Sequence, residues 1–541
     1  MTVRQASPAA DRDAAGPRAW AVLAACLLAV FMQMLDLTIV NTALPVLARQ
    51  LSAGGSTQLL VVTGYSVAFA CALLTAARLG DQFGRGRLFL IGMAVFTAAS
   101  LGCALAGNPV ELVAGRVAQG LGAAAVAAQT IAILAAAFPA HRRPLAFGIY
   151  GAVAGLAGLS GPMLGGLIVA ADPGGLGWRA IFLLNLPLGC AALVLAGRCL
   201  GAGRRDRSVR LDLAGAALST SGLLMVLYPL AVVGNSGWSS TMIGSVALGV
   251  ALLAGFARQQ WRTATGGGTP MISATVCGDR TFGIGALALL AFYGLFAALL
   301  LTVSVTAQSG LNWSAWQTGR FMLPFAAGAL VAALTSPILV RYWGTRTLTV
   351  GSAAFAVAMA LLAFTIHPAA GGIDARVVSA PVLLAGCGMG WFAAPLPAIM
   401  VAGLDERATG TASGLAPTVQ QLGSAIGATM LGSLFFARVA GGSGVGHAQS
   451  VLARDLGMRA IPADERIATV RRFTECAHTA FVAPAHVLPA SGCGGDHAVS
   501  ALATAQTFLS ACVTVLWIVS AVAGGLAVVT LALPRRPGGH P

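Results

Sequence analysis

Fourteen apolar runs of about twenty residues, separated mostly by short polar stretches, constrain this chain more than any other feature. At 1.5 Å per residue, a helical run of that length crosses roughly 30 Å of hydrocarbon. The runs lie at about Trp20–Leu44, Gln58–Ala77, Leu88–Gly107, Leu112–Phe138, Leu145–Ala171, Ala180–Cys199, Leu213–Val233, Thr241–Gln260, Phe282–Ala307, Gln317–Val340, Thr347–His367, Val378–Val401, Ala412–Ala437 and Gln506–Leu533. Of 541 residues, 57% are hydrophobic and 9% charged, whereas a soluble domain carries about 25% charged residues. A soluble globular protein is excluded, and the expected fold is an all-α polytopic membrane protein. The first run is too long for a signal-peptide core and ends without a small-residue cleavage pattern, so it is expected to stay as a span.

The net charge is +15, and all 32 cations are arginine, with no lysine anywhere. With so much Ala and Gly, that bias points to a GC-rich bacterial genome and hence to the bacterial cytoplasmic (inner) membrane. The arginines fall in short loops between runs, so the positive-inside rule explains them better than nucleic-acid binding does. With both termini cytoplasmic, the inner segments hold 21 arginines and the short outer loops or span ends four, namely Arg49, Arg179, Arg320 and Arg376. Six more lie between Arg438 and Arg472, and Arg116 is inside a run.

Eight of the ten cysteines (Cys26, Cys71, Cys103, Cys190, Cys199, Cys277, Cys387, Cys512) lie in or beside apolar runs without metal-ligand spacing, so no metal is expected. Cys476 and Cys493 share the one long polar segment, 438–505. It shows no apolar periodicity and reads as an extracytoplasmic flap. In an oxidising compartment these two thiols can close a loop; free thiols are the alternative.

Within hydrocarbon a charged side chain costs several kcal/mol, so an ionisable residue inside a run is a functional candidate by default. Asp36 is the only acidic residue well inside a run, and Arg116 the only such cation. At the helical rise they lie ~12 Å and ~10 Å from the outer ends of their spans, nearly the same depth. Gln33 shares a helical face with Asp36, and Gln119 and Gly120 share one with Arg116. A carboxylate whose surroundings change as water or substrate enters is a proton-coupling site; a static ion pair that only fixes packing is the alternative. Gln33, Asn41, Gln119, Gln129, Trp391 and Phe392 are the candidates to line a substrate cavity, with lipid or core packing the alternative for the aromatics. The fifth run carries glycines at 151, 155, 158, 161, 165 and 166 and a proline at 162, a close-packing face with a kink. The second and third runs are joined by ARLGDQFGRGR (77–87), in which Asp81, Gly84, Arg85 and Arg87 form a tight charged turn, faintly echoed by Arg341, Gly344 and Arg346. No Ser/His/Asp or paired-His arrangement occurs in the runs, so no enzyme is expected and no cofactor is implied.

Together these strings resemble the fourteen-span drug:proton antiporter family of the major facilitator superfamily. LDLTIVNTALP (35–45), RVAQGLGAA (116–124), GLSGPMLGG (158–166), WRAIFLLNLPLG (178–189), LDLAGAALSTSGLL (211–224) and GTASGLAPTVQQLGSAIG (410–427) carry the resemblance in order along nearly the whole chain. The resemblance implies a cytoplasmic tail (1–19), a six-helix bundle (20–199), linkers with two extra spans (200–281), a second bundle (282–533) and a cytoplasmic tail (534–541). It implies efflux of an amphipathic drug-like or antibiotic molecule in exchange for protons by alternating access, performed by a monomer in the lipid bilayer. Asp36 and Arg116 would be the proton-coupling pair, and Gly158, Gly161, Pro162, Gly165 and Gly166 the antiporter motif. Asp81, Gly84, Arg85 and Arg87 would be the gating loop, with Asp81 meeting the start of span thirteen near 410–413. Ala77 and Gly86 depart from that loop's pattern, which implies a looser latch. The tenth span holds no acidic residue, so a neutral, weakly acidic or monocationic substrate fits better than a dication. Proton-coupled uptake of a small metabolite is the alternative function.

Overall fold

The computed structural model describes residues 16–139, 142–201, 212–232, 239–265, 278–368, 371–402, 406–458, 462–482 and 497–534. Among them there is no strand, as hydrocarbon demands of an unclosed chain. The first group of helices is α1 (Pro17–Gln50), α2 (Gly55–Phe83), α3 (Arg85–Leu105), α4 (Pro109–Ala137), α5 (Arg143–Ala171), α6 (Arg179–Leu183) and α7 (Asn185–Cys199). Next come α8 (Leu213–Val232) and α9 (Ser240–Thr265). A second group follows: α10 (Arg280–Val305), a π turn (Thr306–Gly310), α11 (Ala315–Phe321), α12 (Leu323–Trp343), α13 (Arg346–Thr365), α14 (Ala375–Ala393), α15 (Leu396–Val401) and α16 (Glu406–Ala440). The chain ends with α17 (Val445–Met458), α18 (Ala463–Val482) and α19 (His497–Thr530).

Polar side chains start several helices by satisfying orphan N–H groups. Asn108 accepts from the Glu111 N–H at 3.0 Å ahead of Pro109, Asp279 from that of Phe282 at 2.6 Å, and Ser314 and Gln317 form a reciprocal capping box. Gly84, at φ +103°, both ends α2 and begins α3, a backbone conformation that L side chains rarely adopt. The Gly344 turn between α12 and α13 repeats the device at φ +59°.

In the first group α1 packs on α5 and α7, and α4 on α2 and α3; in the second, α10 packs on α16, α14 on α12 and α13, and α13 on α19. The groups meet along α2–α16 and α5–α11. The α5–α11 seam depends on absent side chains: a Cβ on Gly166 would lie 2.4 Å from the Ala315 carbonyl oxygen, and one on Gly319 2.7 Å from that of Pro162.

Twelve described helices are long and apolar enough to span a bilayer, or thirteen if the bent α5 counts, and fourteen is reached only with the shorter α8. α5 bends by 45° between Ile149–Gly158 and Ser160–Ala171, where Pro162 leaves the Gly158 carbonyl without its helical donor. At the seventh expected span, the apolar stretch Ala214–Pro229 is short. One expectation needs correction: the segment 438–505 contains α17 and α18, and α19 begins nine residues before its expected span. Val445, Ala448, Leu452 and Leu456 are buried at helical spacing, and so are Phe473 and Ala477. Small alanines and interspersed arginines hide that stripe in the sequence. Cys476 is disulfide-bonded, while Cys493 lies outside the described residues.

Candidate functional site

α1, α3, α4 and α7 converge on one carboxylate. Asp36 is 1% exposed and Arg116 0%, so neither charge has water to answer it. Arg116 Nη1 donates to Asp36 Oδ2 at 2.5 Å. Oδ1 accepts from Gln119 Nε2 at 3.2 Å and from Asn185 Nδ2 at 3.0 Å. Ser100 Oγ takes further bonds from Gln119 (2.7 Å) and Asn185 (3.3 Å), tying α3 to the group. Arg116 Nε donates to the Val61 carbonyl at 3.1 Å, Nη1 also reaches Gln119 Oε1 at 2.9 Å, and the guanidinium stands 4.7 Å from the centre of the Tyr65 ring. α2 comes this close because Gly120 has no side chain; a Cβ there would lie 2.3 Å from the Tyr65 carbonyl oxygen.

Such a pair holds only while both charges are present, and removing one partner of a buried pair costs about 3–5 kcal/mol. A site of this kind can therefore read the protonation of its carboxylate as a structural event. Sequence reasoning found Asp36, Arg116 and Gln119 but missed Asn185, Ser100 and Tyr65. Asn185 opens α7 just after the break from α6, where Pro187 deprives the Leu183 carbonyl of a donor. A polar residue beside that helix-breaking proline was the available signal.

The other cavity candidates lie in different surroundings. Gln33 is buried and donates to the Ala123 carbonyl at 3.2 Å. Asn41 turns its Nδ2 back on Leu37 and its Oδ1 away. Gln129 caps the Ala76 carbonyl at 2.8 Å against Gly80, one turn from the Gly84 bend. Trp391 is half-buried with Nε1 on Thr335 Oγ1 at 3.1 Å, whereas Phe392 is fully buried and stacks on Phe292 at 4.2 Å.

At the end of α2, Asp81 accepts from Nη2 of Arg85, the first residue of α3, at 2.9 Å, a partly exposed pair four residues apart, while Arg87 is exposed. The side chains at 410–413, expected opposite Asp81, lie outside the described residues. Gly86 lies where a Cβ would be 2.5 Å from the Gly201 carbonyl oxygen, so a basic side chain has no room there. In α5, Gly161 and Gly165 press on α1: their Cβ atoms would meet Thr38 Oγ1 at 1.9 Å and Ile39 Cγ1 at 2.9 Å. Gly158 faces open space. Along α1 the half-buried residues Ala21, Ala24, Leu27, Leu28, Phe31, Met34 and Leu37 form a stripe, and from Thr38 to Pro45 every residue is buried.

Residues 26–428 match the Major Facilitator Superfamily. The chain belongs to this superfamily. Membership places it among membrane transporters rather than enzymes. It is 35% identical over 436 residues to a probable actinorhodin transporter of Streptomyces coelicolor, covering 79% of this chain and 75% of that one. It is 33% identical to a cephamycin export protein of Amycolatopsis lactamdurans (80% and 87% covered) and 33% to a puromycin resistance protein of Streptomyces alboniger (77% and 82%). The major facilitator fold is matched by the crystal structure of a bacterial homologue of the human lysosomal transporter Spinster, inward-facing and occupied, at TM-score 0.59, 14% identity and coverage of 96% and 98%.

Proposed function

We propose that this chain is a fourteen-span, proton-driven exporter of an amphipathic drug-like or antibiotic molecule in a bacterial inner membrane, with both termini cytoplasmic. The observation that carries the reading is the buried Asp36–Arg116 pair with both carboxylate oxygens engaged. Protonating Asp36 removes the charge that Arg116 answers, and the guanidinium then leans on Gln119 and the Val61 carbonyl. The balance among α1, α3, α4 and α7 changes with it. Releasing the proton restores the pair, so each state of the carboxylate favours a different arrangement of the bundle. Each charge moved is worth about 2.3 kcal/mol per 100 mV of membrane potential, so no nucleotide is needed.

The half-buried stripe on α1 supplies an apolar wall suited to an amphipathic substrate. Because Asp36 is sequestered by three donors, it is poorly placed to receive a substrate cation, which favours a neutral, weakly acidic or singly charged molecule. The antibiotic-export names of the relatives support efflux over uptake.

The test is reconstitution of the parent and of Asp36→Asn in liposomes under an imposed pH gradient, following lumenal pH while a panel of lipophilic antibiotics is added. Drug-triggered proton movement in the parent that disappears in the variant is expected. Equal proton exchange in both would make Asp36 a packing residue and end this reading.

A further inference from the structure

α1 and α10 end side by side, and there the two helix groups touch through polar atoms. Ser304 Oγ donates to the Asn41 carbonyl at 2.5 Å, and Gln308 Nε2 donates to the Thr42 carbonyl at 2.7 Å and to Ser304 Oγ at 3.1 Å. All four residues are at least 96% buried. The Asn41 carbonyl is available for a reason written in the sequence. Its helical donor would be the N–H of residue 45, which is proline and has none. α1 nevertheless continues through Pro45 to Gln50, so the released carbonyl is presented sideways from an intact helix. On the other side, the π turn Thr306–Gly310 carries Gln308 on an expanded turn, a feature that recurs at functional positions in helices.

The contact is also incomplete. Asn41 Oδ1 and Gln308 Oε1 are buried with no hydrogen-bond partner among the described residues. A permanent joint in an apolar surround would be fully paired or fully apolar, because a dry unpaired oxygen opposes burial. This one is held by two bonds between the groups and opposed by two oxygens that water would satisfy. Closure here coincides with the end of the half-buried stripe on α1 at Leu37, beyond which every residue from Thr38 to Pro45 is buried.

We propose that Ser304 and Gln308 form a latch on the Pro45-released carbonyl of Asn41 and on its neighbour Thr42. The latch closes this end of the transport path, and entry of water at Asn41 and Gln308 opens it. In the orientation proposed above this is the outer end, so the latch governs release of the exported molecule. The inference rests on alternating access but not on Asp36 carrying the proton.

Hydrogen exchange of the purified full chain in detergent, without drug or gradient, tests it apart from proton coupling. Ser304→Ala combined with Gln308→Leu is expected to speed exchange about threefold or more in peptides covering 38–50 and 300–312, leaving α3 and α13 unchanged. In a Pro45→Ala background, α1 supplies the Asn41 carbonyl with its own N–H, so Ser304→Ala alone should add less than about half the effect it has in the parent. Unchanged exchange at both peptides overturns the latch. So does a rise spread equally over α3 and α13, which would assign these residues to general packing.

Discussion

An arginine deep in a span costs several kcal/mol unless something answers it, and Arg116 is answered by Asp36, Gln119, Tyr65 and a main-chain carbonyl. Asp36 and Arg116 were legible in the sequence because charges inside apolar runs are rare. Asn185 and Ser100 were not, because neutral polar residues are cheap enough in membranes to occur without purpose. Glycine shows the same contrast. Gly158 and Gly161 read alike in the sequence, yet a Cβ meets nothing within 4 Å at the first and Thr38 Oγ1 at 1.9 Å at the second. Gly161→Ala is therefore expected to destabilise the purified protein by about 1–3 kcal/mol through overpacking. Gly158→Ala should be neutral or stabilise by up to about 1 kcal/mol, since alanine is the better helix former. Thermal denaturation in detergent checks both; equal shifts would refute the packing assignment.

Between the two groups, α8 and α9 pack together, and α8 is fastened to α2. Thr220 and Cys71 exchange side chain-to-carbonyl bonds across the contact, at 3.2 and 3.7 Å. Just before α8, Asp212 accepts from the Gly215 N–H (2.8 Å), Gln259 Nε2 (2.7 Å) and Gln260 Nε2 (2.8 Å). Partial burial pushes this carboxyl up, but those bonds and the charge of Arg78 outweigh it and hold it below the usual carboxylate range. A depressed carboxyl contributes stability that is fully present above the unfolded value of about 3.9 and is lost as pH falls through the folded value. Asp212→Asn should thus lower the apparent melting temperature at pH 7, with the gap to the parent closing as the pH falls below the unfolded value of about 3.9. A gap independent of pH would mean that the ionised form has no special role. Arg78 precedes the Gly84 turn, so the same carboxylate links the α8–α9 pair to the cytoplasmic end proposed for α2.

At the scale of the whole molecule, two helix groups joined along α2–α16 and α5–α11 can rock only if both seams survive the motion. Backbone approaching backbone across Gly166 and Gly319 makes one seam; in the other, Ser66 donates to Gln421 Oε1 at 3.0 Å. The Gly84 and Gly344 turns occupy matching places in the two groups, which turns the faint sequence echo into a structural one. The proposed topology has its own test. A fluorescent protein fused after Pro534 should fold and glow in the cytoplasm, whereas a cysteine-reactive reagent that cannot cross membranes should label a residue placed in 483–496 from outside. Labelling from the inside only would reverse the orientation drawn from the arginines.

The sequence by itself determined the all-helical membrane class, the approximate spans, the arginine asymmetry, and the two residues whose charge has no business in hydrocarbon. Those conclusions rest on solvation, which acts on each residue through its own chemistry and its near neighbours along the chain. Tertiary structure alone decided that Asn185 holds Asp36, that Gly161 touches α1 while Gly158 touches nothing, that Gln129 and Phe392 pack where a cavity wall was expected, and that α17 and α18 fill the long segment. These depend on which helix faces which. A hydrocarbon solvent favours every apolar face equally, so only packing and pairing between distant segments can choose among them.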